Sequence, residues 1–471
     1  MLLYIFMNDD ISSHRVRQVI EARIATLQPG ARLPSVRELV AELRVSPLTV
    51  RAAVARLVAE GAIEARPGYG TFVTQGRAAT PGGDFGWQTV ALGAARADSR
   101  ALEELVAVPP PGTIGLSTGY LPPDLQPTDD LARALARAAS RPGVWDRLPL
   151  EGAEPLRAWF AAQAGGAFTP RDVLVCPGSK PAIAAAFRGL AAPGDAIAIE
   201  SPSYIGAIAT ARAAGLRIVP VATDAEGVRP DLLAAALASS GARVFYCQPA
   251  HANPSGAMLS PGRRREVMEV IRAARAFLVE DDWARDLHFG GHPLPPPLAS
   301  ADPDGHVVYL RSLTKSAAPG LRVGALCARG AAFARLRSAR SAEDFYVAGP
   351  LQEAALQFVT SPAWPRHLRR LHAALRERRD ALVDAVRTHL GARALARVPD
   401  GGFHLWVRLP EGTDEADVAL RCHSDRLVVS PGRDWFPGEA DGAYLRLTFA
   451  GAPPAVLERG TATLAAIIGT G

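Results

Sequence analysis

Lys180 and Lys315 are the only lysines in a chain whose lysines and arginines total 52. Arginine matches lysine in charge, but its guanidinium stays protonated in proteins and forms no imine, whereas a lysine amine does. Two lysines kept in so arginine-rich a chain therefore point to amine chemistry. Lys315 lies in Ser312-Leu313-Thr314-Lys315, just past the apolar run Val307-Val308-Tyr309-Leu310. Other polar groups follow apolar runs in the same way. Asp281 comes after Ala276-Phe277-Leu278-Val279-Glu280, and Asn253 opens Asn253-Pro254-Ser255-Gly256 after Phe245-Tyr246-Cys247-Gln248. Gly178-Ser179-Lys180 stands between Val173-Leu174-Val175 and a helix expected from Pro181, and Arg322 follows Lys315 by seven residues.

The elements that must position these groups are short β-rich runs alternating with long alanine-rich helical runs, from about residue 113 to the end. That alternation implies βαβ units in a doubly wound parallel sheet, which places ligands beyond the carboxyl ends of its strands. Lys315, Asp281, Asn253 and Ser179 all fall at such ends. A glycine turn opening a helix offers backbone N–H groups and a positive dipole end to a phosphate, and Arg322 offers a second grip. An amine, a carboxylate and a phosphate cradle together describe a site for pyridoxal 5′-phosphate (PLP). Lys180 has two open readings, a neighbour of the phosphate loop or a solvent-exposed residue.

A chain of 471 residues exceeds one small core, so two or more domains are expected. The 48% hydrophobic and 21% charged content is that of a globular protein. No apolar run approaches the roughly 20 residues of a membrane-spanning helix, so no membrane partner is expected. Residues 1–6 lack the basic start of a signal peptide, and Met7 is an alternative first residue. Cys176, Cys247, Cys327 and Cys422 are widely separated with no C-x-x-C pair, which fits buried thiols in a reducing cytoplasm; no metal site is expected.

Residues 1–76 read as a helical module ending in a hairpin. Ser35-Val36-Arg37-Glu38 is a capping box, followed by an apolar face of Val36, Leu39, Val40 and Leu43. Ser46 caps the next helix, Pro47 takes its first position, and Val50, Val54, Leu57 and Val58 form its expected buried stripe up to Gly61. Two helices across a three-residue turn make a helix-turn-helix. Ala62–Arg66 and Thr71–Val73 flank a turn and read as a wing. Residues 77–112 have linker composition, bracketed by Thr80-Pro81-Gly82-Gly83 and Pro109-Pro110-Pro111-Gly112, with one helix expected near Leu102–Val106.

The first module resembles the winged-helix domain of the GntR family of bacterial repressors. Arg32–Leu39, Thr49-Val50-Arg51 and Gly68–Val73 carry the likeness. The resemblance implies DNA contacts from Ser35, Arg37, Ser46, Thr49 and Arg51, with Tyr69 and Gly70 in the wing. Arginine forks suit guanine edges and phosphates. The family often has arginine and a small polar residue where Pro47 and Leu48 stand, so a base contact is missing there or moved to a thymine methyl. With nine arginines against seven acids in residues 1–76, one module binds DNA weakly. A dimer on two half-sites is the expected remedy.

Residues 113–471 resemble the fold-type I aminotransferases of class I/II. The motifs are Pro193-Gly194-Asp195, Glu200–Tyr204, Asn253–Gly256, Glu280-Asp281-Asp282, Ser312–Lys315 and Leu445-Arg446-Leu447. The resemblance makes Lys315 the Schiff-base lysine, pairs Asp281 with the pyridine nitrogen, bonds Asn253 to the ring hydroxyl and stacks Tyr204 on the ring. It assigns the phosphate to Ser179, Ser312 and Arg322, and an amino-acid carboxylate to Arg446. The family usually has a tyrosine just after the Glu-Asp-Asp run; Trp283-Ala284 stands there instead, and its indole can donate a hydrogen bond but cannot take a proton.

The fusion of both modules resembles the MocR subfamily of transcriptional regulators. The expected architecture is multidomain: a winged helix-turn-helix over 1–76, a linker over 77–112, and an α/β PLP-dependent transferase fold over 113–471. The resemblance implies a cytoplasmic head-to-tail homodimer, each winged helix over its partner's large domain. It would bind operator DNA and sense PLP, another B6 vitamer or an amino compound through an aldimine at Lys315. A working aminotransferase with an appended DNA-binding domain is the alternative, and whether the chain is an enzyme stays open.

Overall fold

Two serine caps set the helices of the first unit. Ser35 Oγ accepts from Glu38 N at 3.3 Å while Glu38 Oε2 accepts from Ser35 N at 2.6 Å, which starts the helix Val36–Leu43. Ser46 Oγ accepts from Thr49 N at 3.1 Å, and Pro47 opens the helix Pro47–Ala59. Gly61, at φ +71°, supplies the left-handed turn after that helix. A computed structural model describes residues 16–24, 26–28, 30–66, 69–74, 86–92 and 100–469. The alternative start at Met7 and the wing turn Pro67-Gly68 lie outside them. The chain divides into two units, Met1–Ala94 and Ala95–Gly471.

The first unit buries Val16 and Ile20 of a helix over 16–24 with Leu33, Leu39, Val50, Ala53, Leu57, Ile63 and Val73. Val58, expected in that core, is instead 37% exposed, and Ala53 takes its place. A helix turns 100° per residue, so 50, 53, 54 and 57 share one face while 58 rotates past its edge. The wing strands Ile63–Arg66 and Gly70–Val73 pair antiparallel, Ile63 opposite Val73.

The second unit is built on an eight-stranded sheet. In spatial order its strands are Val173–Cys176, Gly324–Cys327, Val307–Ser312, Phe277–Asp281, Val244–Cys247, Ala196–Ser201, Arg217–Asp224 and Gly227–Val228. The five from Val307–Ser312 to Arg217–Asp224 are parallel, as the βαβ reading expects. Gly324–Cys327 runs antiparallel to both neighbours, because it returns directly from the lysine turn without a crossover helix. Helices cover both sheet faces. A smaller layer pairs His404–Arg408, Tyr444–Thr448 and Ser430–Pro431 antiparallel and packs against the 27-residue helix Ala363–His389 and the helix Pro454–Gly469. Among the described residues no helix is long and apolar enough to cross a membrane, and all four cysteines are buried and unpaired.

The segment read as linker is not uniformly loose. Helices form at Gly86–Leu92 and Arg100–Val106, and the second belongs to the larger unit, its Leu102 buried beside Ile205 and Trp435. Composition marked this stretch as linker, but an aliphatic edge of one short helix suffices to dock it.

Leu57→Ala, which empties the centre of the small first core, is expected to cost about 2–5 kcal/mol. Urea denaturation followed on that unit's signal checks this, with the transition of the larger unit unmoved.

Candidate functional site

Strand alternation decides which of three adjacent acids reaches the site. Glu280 turns away and accepts from Leu298 N and Ala299 N at 2.8 and 2.9 Å, and Asp282 accepts from Tyr309 Oη at 2.9 Å. Asp281 faces the cavity from the end of Phe277–Asp281, 1% exposed. Its Oδ2 accepts from Tyr246 Oη at 2.6 Å and Gln248 Nε2 at 2.8 Å. Its Oδ1 is buried with no partner. Burial raises its pKa to about 6, against the two hydrogen bonds that favour the carboxylate.

Gln248 ties this carboxylate to the next strand end. Its Oε1 accepts from Asn253 N at 2.8 Å, and its own N–H donates to Glu200 Oε2 at 2.9 Å. Asn253 Oδ1 in turn lies 3.4 Å from Arg446 Nη1. Gln248 and Tyr246 were not singled out as site residues, because their role depends on register between strands, which spacing along one strand does not reveal.

Lys315 sits in the turn after Val307–Ser312. Its Nζ donates to the Gly119 carbonyl at 2.7 Å and lies 3.8 Å from the Tyr120 ring centroid. Burial lowers its pKa to about 7, helped by Arg446 and Arg322 and opposed by Asp281. A first side-chain carbon on Gly119 would lie 3.6 Å from Lys315 Nζ and 4.0 Å from both Arg446 Nη1 and His404 Nε2. Three nitrogens thus converge on one point.

Arg446, on Tyr444–Thr448, is 1% exposed and lies over the Trp435 ring at 4.4 Å. It donates to the Ser117 carbonyl, its Nε is unpartnered, and no ion pair joins it to a carboxylate among the described residues. Burial lowers its pKa to about 9. His404, absent from the sequence reading, is buried with an unpartnered Nε2. Burial first, then Arg446 and Lys315, hold its pKa well below the ordinary value. A lone histidine at the head of a strand carries no motif that would have found it.

The remaining predicted residues separate into two groups. Ser179 and Tyr204 line the cavity with Asn253, Asp281, Lys315 and Arg446. Gly206 lets the Tyr204 ring fold inward, since a Cβ there would fall 2.3 Å from Tyr204 Cζ. Gly178 caps the helix Ser179–Leu190 at φ +102°, and a Cβ on it would fall 2.7 Å from Arg322 Nη2. Arg322 itself donates to the Pro177 carbonyl at 2.6 Å. Ser312, expected at the phosphate, lies at the end of Val307–Ser312 three residues before Lys315. Its hydroxyl lies 2.9 Å from Thr314 Oγ1 and 3.3 Å from the Val323 carbonyl, pinning the lysine turn from inside. Trp283 donates as expected, its indole N–H bonded to the His251 carbonyl at 3.0 Å. Lys180 is solvent-exposed.

In the first unit Arg37 and Arg51 are exposed and make no ion pair among the described residues, whereas Arg17, Arg23 and Arg66 are paired with glutamates. Tyr69 is 75% exposed on the wing, next to Gly70 at φ +117°. Ser35 and Ser46 are exposed at their helix starts. Thr49 is the exception. It is 6% exposed, and its hydroxyl lies 2.7 Å from Ser46 Oγ, so it shapes the helix start from within.

The larger unit is therefore a PLP site of the fold-type I class. The residues fit the cofactor: Asp281 Oδ1 is an orphan acceptor for a ring N–H, the Gly178 turn is a cradle too tight for a Cβ, and Lys315 offers an amine with a lowered pKa. Residues 111–464 match the family described as aminotransferase class I and II, and residues 12–73 match bacterial regulatory proteins of the gntR family. The uncharacterized HTH-type transcriptional regulator YisV of Bacillus subtilis is 30% identical over 96% of this chain and 95% of its own. The HTH-type transcriptional regulator TauR of Rhodobacter capsulatus is 29% identical over the same shares. The solved α-aminoadipate aminotransferase LysN of Thermus thermophilus, complexed with N-(5′-phosphopyridoxyl)-L-leucine, is 26% identical. It matches at a TM-score of 0.75 over 81% of this chain and 98% of its own. The chain belongs to the MocR type of GntR-family regulators, a GntR helix-turn-helix fused to a PLP-dependent aminotransferase-like domain.

A lysine with a folded pKa near 7 gains its neutral, bond-forming amine as pH rises through 7. The rate of cofactor attachment to apoprotein is expected to climb about tenfold per pH unit below 7 and to level off above it, followed by absorbance. Lys315→Ala should stay colourless after the same incubation.

Proposed function

We propose that the protein is a PLP-dependent bacterial transcriptional regulator that binds operator DNA through its winged helix and senses an amino compound, or a B6 vitamer, at Lys315. The observation that carries the sensing half is Arg446. A buried guanidinium without a carboxylate partner is costly, and an amino-acid carboxylate answers it bidentately. Bound PLP supplies an aldehyde that condenses reversibly with amines. The chain's own residues do the rest. Asp281 holds the ring nitrogen, Asn253 the ring hydroxyl, Tyr204 the ring face, and Ser179 with Arg322 the phosphate. Ser312 supports the turn that aims Lys315.

On the DNA side, Arg37 and Arg51 supply unpaired charge, with Ser35, Ser46, Tyr69 and Gly70 at the surrounding backbone. We infer a homodimer, head-to-tail as in its subfamily, that acts in the cytoplasm and doubles the weak grip of one module on two half-sites. A ligand shifts operator binding only if it has different affinity for two arrangements of that dimer.

The alternative, a working aminotransferase, draws on the same Lys315 and Asp281. Against it stands Trp283, whose one N–H is bonded to His251 where a phenol could move a proton. Multiple turnovers at ordinary enzyme rates with a panel of amino donors would overturn the regulator reading.

Arg51→Ala is expected to weaken binding to the DNA upstream of the protein's own gene by about 1–3 kcal/mol at fixed salt, with the cofactor absorbance retained. Arg446→Gln should abolish the absorbance change on adding amino acids.

A further inference from the structure

His404 lines the cavity, yet neither the cofactor nor an amino-acid carboxylate has a use for it. It opens the strand His404–Arg408 and pairs across the ladder with Thr448, while Trp406 pairs with Arg446. A step of two along a strand keeps a side chain on the same face, so His404 and Arg446 stand diagonally opposed and look into one space. His404 is 5% exposed. Its ring is hydrogen-bonded at the Thr118 backbone in the sense that favours a proton, and Nε2 is the nitrogen left without a partner among the described residues. The proton therefore sits on Nδ1, and Nε2 presents a bare lone pair. Burial, then Arg446 and Lys315, oppose a second proton, so Nε2 remains an acceptor.

The position of that lone pair restricts what can answer it. A first side-chain carbon on Gly119 would lie within 4.0 Å of Lys315 Nζ, Arg446 Nη1 and His404 Nε2 alike. A ligand whose amine takes the place of Lys315 on the cofactor and whose carboxylate meets Arg446 thus passes Nε2 with the atoms nearest its α-carbon. Its carboxylate offers only acceptors, and its amine is committed to the cofactor. Lys315, once displaced, keeps the Gly119 carbonyl to which it already donates at 2.7 Å. The donor for Nε2 must then come from the ligand's β-carbon. An ammonium there would face two cations, whereas a hydroxyl supplies the hydrogen without the charge. An analogue lacking that hydroxyl leaves a buried acceptor bare, and this asymmetry is what lets such a site discriminate.

We propose that His404 sets the specificity of the ligand site by accepting a hydrogen bond from a hydroxyl on the ligand's β-carbon, so that the ligand is a β-hydroxy amino acid of the serine or threonine kind. This rests on the PLP-sensing reading above and adds the ligand class and the residue that selects it.

The test titrates full-length holoprotein with L-serine, L-alanine, L-threonine, L-2-aminobutyrate and O-methyl-L-serine, read by both cofactor absorbance and calorimetry. Serine is expected to bind about tenfold tighter than alanine, and threonine about tenfold tighter than 2-aminobutyrate. O-methyl-L-serine keeps the oxygen but loses the donor, and should bind no better than alanine. His404→Phe keeps a planar ring without the acceptor and should bring both ratios below about twofold. A merely structural histidine would instead weaken all five ligands together and leave the ratios standing. Equal binding of serine and alanine by the wild type, as when a water serves Nε2 in every complex, would overturn the proposal. So would O-methyl-L-serine binding as tightly as serine, or ratios retained in His404→Phe; if that variant fails to fold, the wild-type series decides alone. A protein that takes up no cofactor would overturn the PLP reading and this proposal with it, whereas an absorbance response equal for all five ligands would overturn this proposal only.

Discussion

Two buried cations sharing one cavity with a single carboxylate set the terms for the larger unit. Lys315 and Arg446 are both lowered in pKa by burial, and the Arg446 guanidinium further disfavours the charge on Lys315. Asp281 offsets only part of this, being itself raised by desolvation. Such a cluster is expensive to hold without ligands. A cofactor that consumes the lysine amine and brings a phosphate, together with a carboxylate for Arg446, relieves it. The cavity is thus shaped as much by what it leaves unpaired as by what it pairs.

The rest of the fold keeps those groups in place. Parallel strands deliver Asp281, Asn253 and Lys315 to one edge of the sheet, and side chains lock the edge laterally: Tyr246 and Gln248 to Asp281, Gln248 to Asn253, Ser312 to Thr314. Arg446 arrives from the smaller layer, and Leu102 from the end of the presumed linker stretch closes over the same tryptophan that supports it.

Much of this was legible in the order of residue types. The capping box at Ser35, the Ser46 cap with Pro47, the wing and the parallel strands announce themselves by local rules, because caps and periodicity depend on neighbours three or four residues away. The errors have equally physical causes. Val58 was placed inside by counting apolar residues without following the helix round to its edge. Thr49, whose DNA contact the resemblance implied, is buried with its hydroxyl against Ser46.

The sequence alone determined the chemistry available: a lysine that arginine could not replace, one acid in three with the right parity on its strand, and a glycine turn ahead of a helix. It also determined that two modules of different purpose share the chain. Only the tertiary structure decided which groups are left unsatisfied and what faces them. The bare Oδ1 of Asp281, the unpaired Arg446, the neutral His404 and the aliphatic edge of residues 102–106 are products of long-range packing. Their partners lie up to hundreds of residues away, beyond the reach of any local pattern.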